Sequence, residues 1–119
     1  MSWVKAALPG AVLVMAALGT TALGTPGVAA QEPSQIPVTI ENNRFVPSEV
    51  KVKAGKPFAL VVTNKDAKSE EFESKDLRIE KVIPAGKTAN IRVRALKPGT
   101  YPFFGEFNPK TAQGQIVAE

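Results

Sequence analysis

Few side chains in this sequence can do chemistry, and their types narrow what that chemistry is. The 119 residues include no Cys and no His. Without Cys there is no disulfide scaffold, thiolate zinc site or thiol nucleophile. Without His there is no serine-type triad, and the commonest borderline metal ligand is missing. Chemistry is left to carboxylates, amides and the backbone. Glu71 and Glu73 are two residues apart, so an extended segment would point both to one face.

The elements that must position such groups begin after the first 30 residues. Residues 1–30 hold no Asp or Glu and one Lys, and Ala6 to Leu23 is dominated by small and apolar residues broken by Pro9. Val28-Ala29-Ala30 then puts small residues immediately before Gln31-Glu32. A basic start, a short apolar run and small residues at a cleavage point predict a secretory signal peptide cut after Ala30. The apolar run is short against the roughly 20 residues of a spanning helix, so no membrane span is expected after cleavage. Trp3 and Met15 leave with the signal, so no Met remains for soft cuprous chemistry.

Residues 31–119 then form a single domain of 89 residues in a periplasmic or otherwise exported location. Only Lys5 of the 15 basic residues is lost and all 11 acidic ones stay, so the domain carries +3. No basic cluster interleaves with aromatics, which argues against nucleic acid as a partner. An exported domain without Cys must be held by hydrophobic packing alone.

Period-two alternation recurs along the domain. Val38 and Ile40, Val50 and Val52, and Ile91 and Val93 each alternate with polar neighbours, the pattern of strands with one buried face. Phe58-Ala59-Leu60-Val61-Val62 is apolar on both parities and suits a central strand. Breakers fall between at Pro47, Gly55-Lys56-Pro57, Asn64-Lys65-Asp66, Pro84-Ala85-Gly86 and Pro98-Gly99. Short strands punctuated this way predict an all-β Greek-key β-sandwich. Tyr101, just after the Pro98-Gly99 turn, is placed to return its hydroxyl to the backbone of that turn as a tyrosine corner.

Several strings then carry a family resemblance: Phe45-x-Pro47, Val50 to Pro57, Leu60 to Asp66, Glu71-Phe72, Ile83 to Thr88, Pro98 to Tyr101 and Gly114. In this order they resemble a cupredoxin domain over nearly the whole of residues 31–119. That resemblance implies a loop-rich end where copper-binding members hold their metal. It places the first His ligand at Glu71, the Cys at Gly105, the second His at Asn108 and the axial Met at or beside Gln113. All four ligands are absent, and a blue-copper site needs a thiolate with two imidazoles. No type 1 copper centre is expected.

Two longer strings, Glu71 to Lys81 and Tyr101 to Gly114, resemble the periplasmic cupredoxins that accompany bacterial high-affinity iron permeases. Asn108 stands where that subfamily usually has His in Gly-Glu-Phe-His-Pro. The resemblance implies convergence of Glu71, Glu80 and Glu106 at the former copper end, with Glu73, Asn108 and Gln113 as weaker candidates. Such an oxygen-rich set suits iron, manganese or calcium better than cuprous copper, while copper(II) binds almost any site. Converging carboxylates also repel, so at least one should have a raised pKa unless a cation or lysine relieves it. The competing reading pairs Glu80 and Glu106 with Lys75, Lys81 or Lys110 as surface ion pairs. Phe103, Phe104 and Phe107 are expected to pack the core and shield the site.

Two functions follow. One is an accessory protein for iron or other transition-metal uptake, working with a periplasmic iron-binding protein and an inner-membrane iron permease. The alternative is a metal-free β-sandwich interaction module that docks to an exported or membrane partner. A ferroxidase acting alone has little redox machinery among these residues.

Overall fold

The computed structural model describes residues 33–119, so the predicted signal segment and its cleavage point lie outside the described residues. Nine strands account for the regular structure, and no helix occurs among the described residues. They are β1 (Ser34–Glu41), β2 (Arg44–Val46), β3 (Glu49–Val52), β4 (Phe58–Asn64), β5 (Glu70–Ser74), β6 (Ile79–Ile83), β7 (Thr88–Val93), β8 (Gly99–Gly105) and β9 (Gln113–Ala118). One sheet has the order β2-β1-β4-β7 and the other β3-β9-β8-β5-β6. The β1–β4 and β3–β9 pairs are parallel, and the remaining pairs antiparallel. The expected all-β sandwich is the observed one.

Alternation decides which residues fill it. Val38 and Ile40 of β1, Leu60 and Val62 of β4, and Ile91 and Val93 of β7 face inward from one sheet. Val50, Phe72, Phe103 and Ile116 meet them from the other. β4 lies between β1 and β7 as expected of a central strand; of its off-parity apolar residues Ala59 is buried and Val61 half-buried, so the outer face is covered only in part. Phe45 of the first sheet packs edge-on against Phe72 and Phe103 of the second, with ring centroids 5.7 and 5.0 Å away. Phe72 and Phe103 stack at 4.8 Å. This trio joins the sheets with the offset and edge-to-face contacts that aromatic rings favour.

The turns at one end are fastened by polar side chains. Asn42 and Asn43 both take positive φ in the two-residue link between β1 and β2. Asn tolerates this conformation, and it matches the twist of a hairpin. Both backbone N–H groups donate to the Asp66 carboxylate, at 2.8 and 2.9 Å. Asn64, fully buried, donates to the carbonyls of Lys68 and Ile83 and accepts from the Asp66 N–H, fixing the β4–β5 link that leads into Glu70. At the start of β8 the Tyr101 hydroxyl donates to the Lys97 carbonyl at 2.7 Å, so the predicted tyrosine corner is present.

Candidate functional site

β5 begins with two glutamates, and the pleat sends them to opposite faces. Glu70, Phe72 and Ser74 point into the sandwich, while Glu71 and Glu73 stand half-buried on its outer face. The resemblance put Glu71 at the first ligand position. In the structure the side chain facing Gly105 and Asn108 belongs to Glu70 instead. Phe72 is a core residue, and strand parity makes its neighbour two positions back the inward one.

Glu70 is 2% exposed. Its Oε1 accepts from the backbone N–H groups of Glu71 and Phe107 at 2.8 and 2.9 Å. Its Oε2 accepts from Asn108 Nδ2 at 2.9 Å. A Cβ placed on Gly105 would lie 2.6 Å from Glu70 Cδ and Oε2, and 2.7 Å from Ala112 Cβ. Gly105 therefore has to be glycine because the carboxylate occupies the space a side chain would take. A thiol side chain at position 105 does not fit beside Glu70, and the donors already present engage both carboxylate oxygens. The type 1 centre of copper-holding cupredoxins does not fit this interior.

The acids on the outer face are arranged differently. One carboxylate oxygen from each of Glu71, Glu73 and Glu106 lies within 4.8 Å of the others. Glu71 and Glu73 come from β5, and Glu106 follows β8, its backbone N–H donating to the Glu71 carbonyl at 2.9 Å. Glu80 of β6 is directly opposite Glu73 in the β5–β6 ladder, next to the three rather than among them. Like charges facing each other across a ladder are destabilising. Partial burial, then the Glu106, Glu80 and Glu71 carboxylates, raise the Glu73 pKa above its ordinary 4.5, against a smaller opposing effect of Lys75.

Oxygen ligands 2.3–2.6 Å from a calcium-sized ion are separated by up to about 5 Å, so this spacing accommodates a hard cation with small side-chain adjustments. The weaker candidates are otherwise engaged. Asn108 gives its amide to Glu70, and Gln113 donates Nε2 to the Pro109 carbonyl at 3.0 Å.

The aromatic residues divide as well. Phe103 is buried as expected, and Phe104 is half-buried on the outer face, opposite Glu73. Phe107, expected in the core, is 51% exposed, because the hydrogen bond from its N–H to Glu70 holds its backbone at the loop tip. It borders a shallow depression with Asn43, Asn108, Pro109, Lys110 and Thr111.

The two-sheet sandwich, its tyrosine corner and the loop after β8 are features of Greek-key β-sandwiches, the class to which cupredoxins belong. The family description "Cupredoxin-like domain" matches residues 10–118, and the chain belongs to that family. It is 41% identical over 83 residues to the Rickettsia prowazekii (strain Madrid E) protein RP394. That match covers 70% of this chain and 66% of the relative, so the chain spans just under two thirds of RP394.

Among solved structures, the chain is similar to auracyanin A, a "blue" copper protein of Chloroflexus aurantiacus. The TM-score is 0.64 at 15% identity, covering 74% of this chain and 100% of that one. The metal-binding domain of the Streptococcus pneumoniae D39 Cu(I)-exporting P-type ATPase CopA, solved with Cu(I), also matches. Its TM-score is 0.64 at 16% identity, with 71% of this chain and 84% of that one covered. These likenesses are of fold. No helix among the described residues is long and apolar enough to cross a membrane.

Proposed function

We propose that this chain is an exported, periplasmic accessory protein for transition-metal uptake, with iron its principal cargo. It holds the ion in exchangeable form on the outer carboxylates Glu71, Glu73 and Glu106, with Glu80 as a neighbouring acid. The observation that carries this reading is the convergence of the three carboxylates within 4.8 Å, with two like-charged neighbours on one strand. A fold that keeps mutually repelling acids together gains from a cation that neutralises them. The site is shallow and partly exposed, which suits transfer to a periplasmic iron-binding protein and an inner-membrane permease. An oxygen-only donor set favours hard ions over cuprous copper.

Calorimetric titration of the purified protein with Fe(II), Fe(III), Mn(II) and Cu(II) tests this reading. Micromolar or tighter binding of at least one iron state is expected, weakened about tenfold or more by Glu106→Gln. Binding no tighter than about millimolar for every ion would end the metal reading.

One observation favours a second reading, the docking module. Phe107 is a large aromatic side chain left half exposed at the loop-rich end, with Lys110 beside it. Exposed aromatics of this kind anchor protein interfaces. Loss of partner capture on Phe107→Ser, with cation binding unchanged, would assign recognition to this tip.

A further inference from the structure

We infer that Glu70 has taken over the structural task that a metal ion performs at this position in copper-holding members of the fold. A bound metal ties a strand of the sheet to the loop after a neighbouring strand. Here one carboxylate makes the same connection. It is anchored at the start of β5 and accepts from the Phe107 backbone and the Asn108 side chain, both in the loop between β8 and β9. Its third donor, the Glu71 N–H, locks the carboxylate against its own strand.

The surrounding residues are shaped to this occupant. Gly105 leaves the volume that Glu70 fills, and its backbone N–H donates to the Ala112 carbonyl at 2.8 Å, closing the loop on itself. Asn108 supplies the amide donor that the Glu70 oxygen needs, and its carbonyl accepts from the Ala112 N–H at 2.9 Å. A buried carboxylate with three N–H donors is a satisfied group, whereas any one of those donors left alone in the interior would be costly. The interior therefore needs no ion to hold the loop and offers none a vacant ligand. Glu70 also fixes the backbone from which Phe107 projects.

Amide hydrogen exchange and backbone NMR on the purified protein, alone and with added Cu(I), Cu(II) or Fe(II), test this. In the unmodified chain the Phe107 amide is expected to be protected without any metal present. Protection should fall roughly ten- to a hundred-fold in Glu70→Ala, the change carried by one buried hydrogen bond. Glu70→Gln keeps an acceptor for the two backbone donors and should fall by less, so this variant remains informative if the alanine protein does not fold. Any shift that added metal causes at the Gly105, Asn108 and Ala112 amides should come from ions on the neighbouring outer glutamates and should persist in Glu70→Gln. Failure of the outer site to bind thus leaves this inference standing. Unchanged Phe107 protection in both Glu70 variants would overturn it. So would stoichiometric metal binding that shifts Gly105 and Asn108 and is abolished by Glu70→Gln.

Discussion

Glu70 and Glu71 are consecutive residues of the same type with opposite fates. The inner carboxylate is buried and surrounded by N–H donors. The outer one shares its surroundings with Glu73 and Glu106, where carboxylates face carboxylates. The difference shows what burial demands of a charged group. Inside, every oxygen must have a donor, and the fold supplies three. Outside, water tolerates the mismatch, and the uncompensated charge remains available to a ligand. The first arrangement leaves the carboxylate matched, and the second leaves its charges facing one another.

The sharpest break of this contrast is removal of the inner carboxylate. Glu70→Ala leaves three part-buried donors to find new partners and is expected to cost about 1–3 kcal/mol, measured by denaturant unfolding. Gly105→Ala should follow, at about 1–3 kcal/mol, because its methyl group collides with the same carboxylate. In the Glu70→Ala background that second cost should shrink. A double-mutant cycle with additive effects would show that the two residues do not share one space.

Outer-face changes should have smaller effects of the opposite sign. Glu71→Gln relieves repulsion and should raise the stability of the metal-free protein by about 0.2–1 kcal/mol while weakening cation binding in the same calorimetric titration. A stability loss there would mean that the outer acids are structural partners after all.

The smallest effect is a pH signature at Glu73. Because its pKa is raised in the folded state, its contribution to stability is fully present below pH 4.5 and is lost as pH rises through the higher folded value. Glu73→Gln should therefore unfold at higher temperature than the parent at neutral pH, and the gap should close below pH 4.5. Thermal melts across that range check the sign. Bound cation should remove the gap at neutral pH as well, since it neutralises the carboxylate repulsion that creates it.

Much of the architecture was legible in the sequence. The alternation at Val38/Ile40, Val50/Val52 and Ile91/Val93, the doubly apolar β4 and the Tyr101 corner all correspond to what the backbone does. These signals rest on side-chain period and turn chemistry, which are local. The site was readable only in part. The structure does bring Glu71, Glu73 and Glu106 together, but with Glu73 inside the group and Glu80 beside it, because cross-strand register is not written in any one segment.

Glu70 was missed for a different reason. An acid is expected to be exposed, and that prior hid a parity argument available from Phe72 two residues later. Its donors come from residues 37 and 38 positions further along the chain, so no local pattern announces them. Phe107 was misplaced for the same reason, since the contact holding its backbone at the loop tip is that distant carboxylate.

The glycine at the end of β8 also constrains how this lineage can change. A thiol placed at position 105 by itself drives a side chain into an occupied space. An imidazole placed at position 70 by itself removes the carboxylate that accepts from three N–H groups. Each single substitution towards a blue-copper donor set is harmful before the other has been made. A type 1 copper centre is thus shut out by two mutually dependent substitutions, not by one.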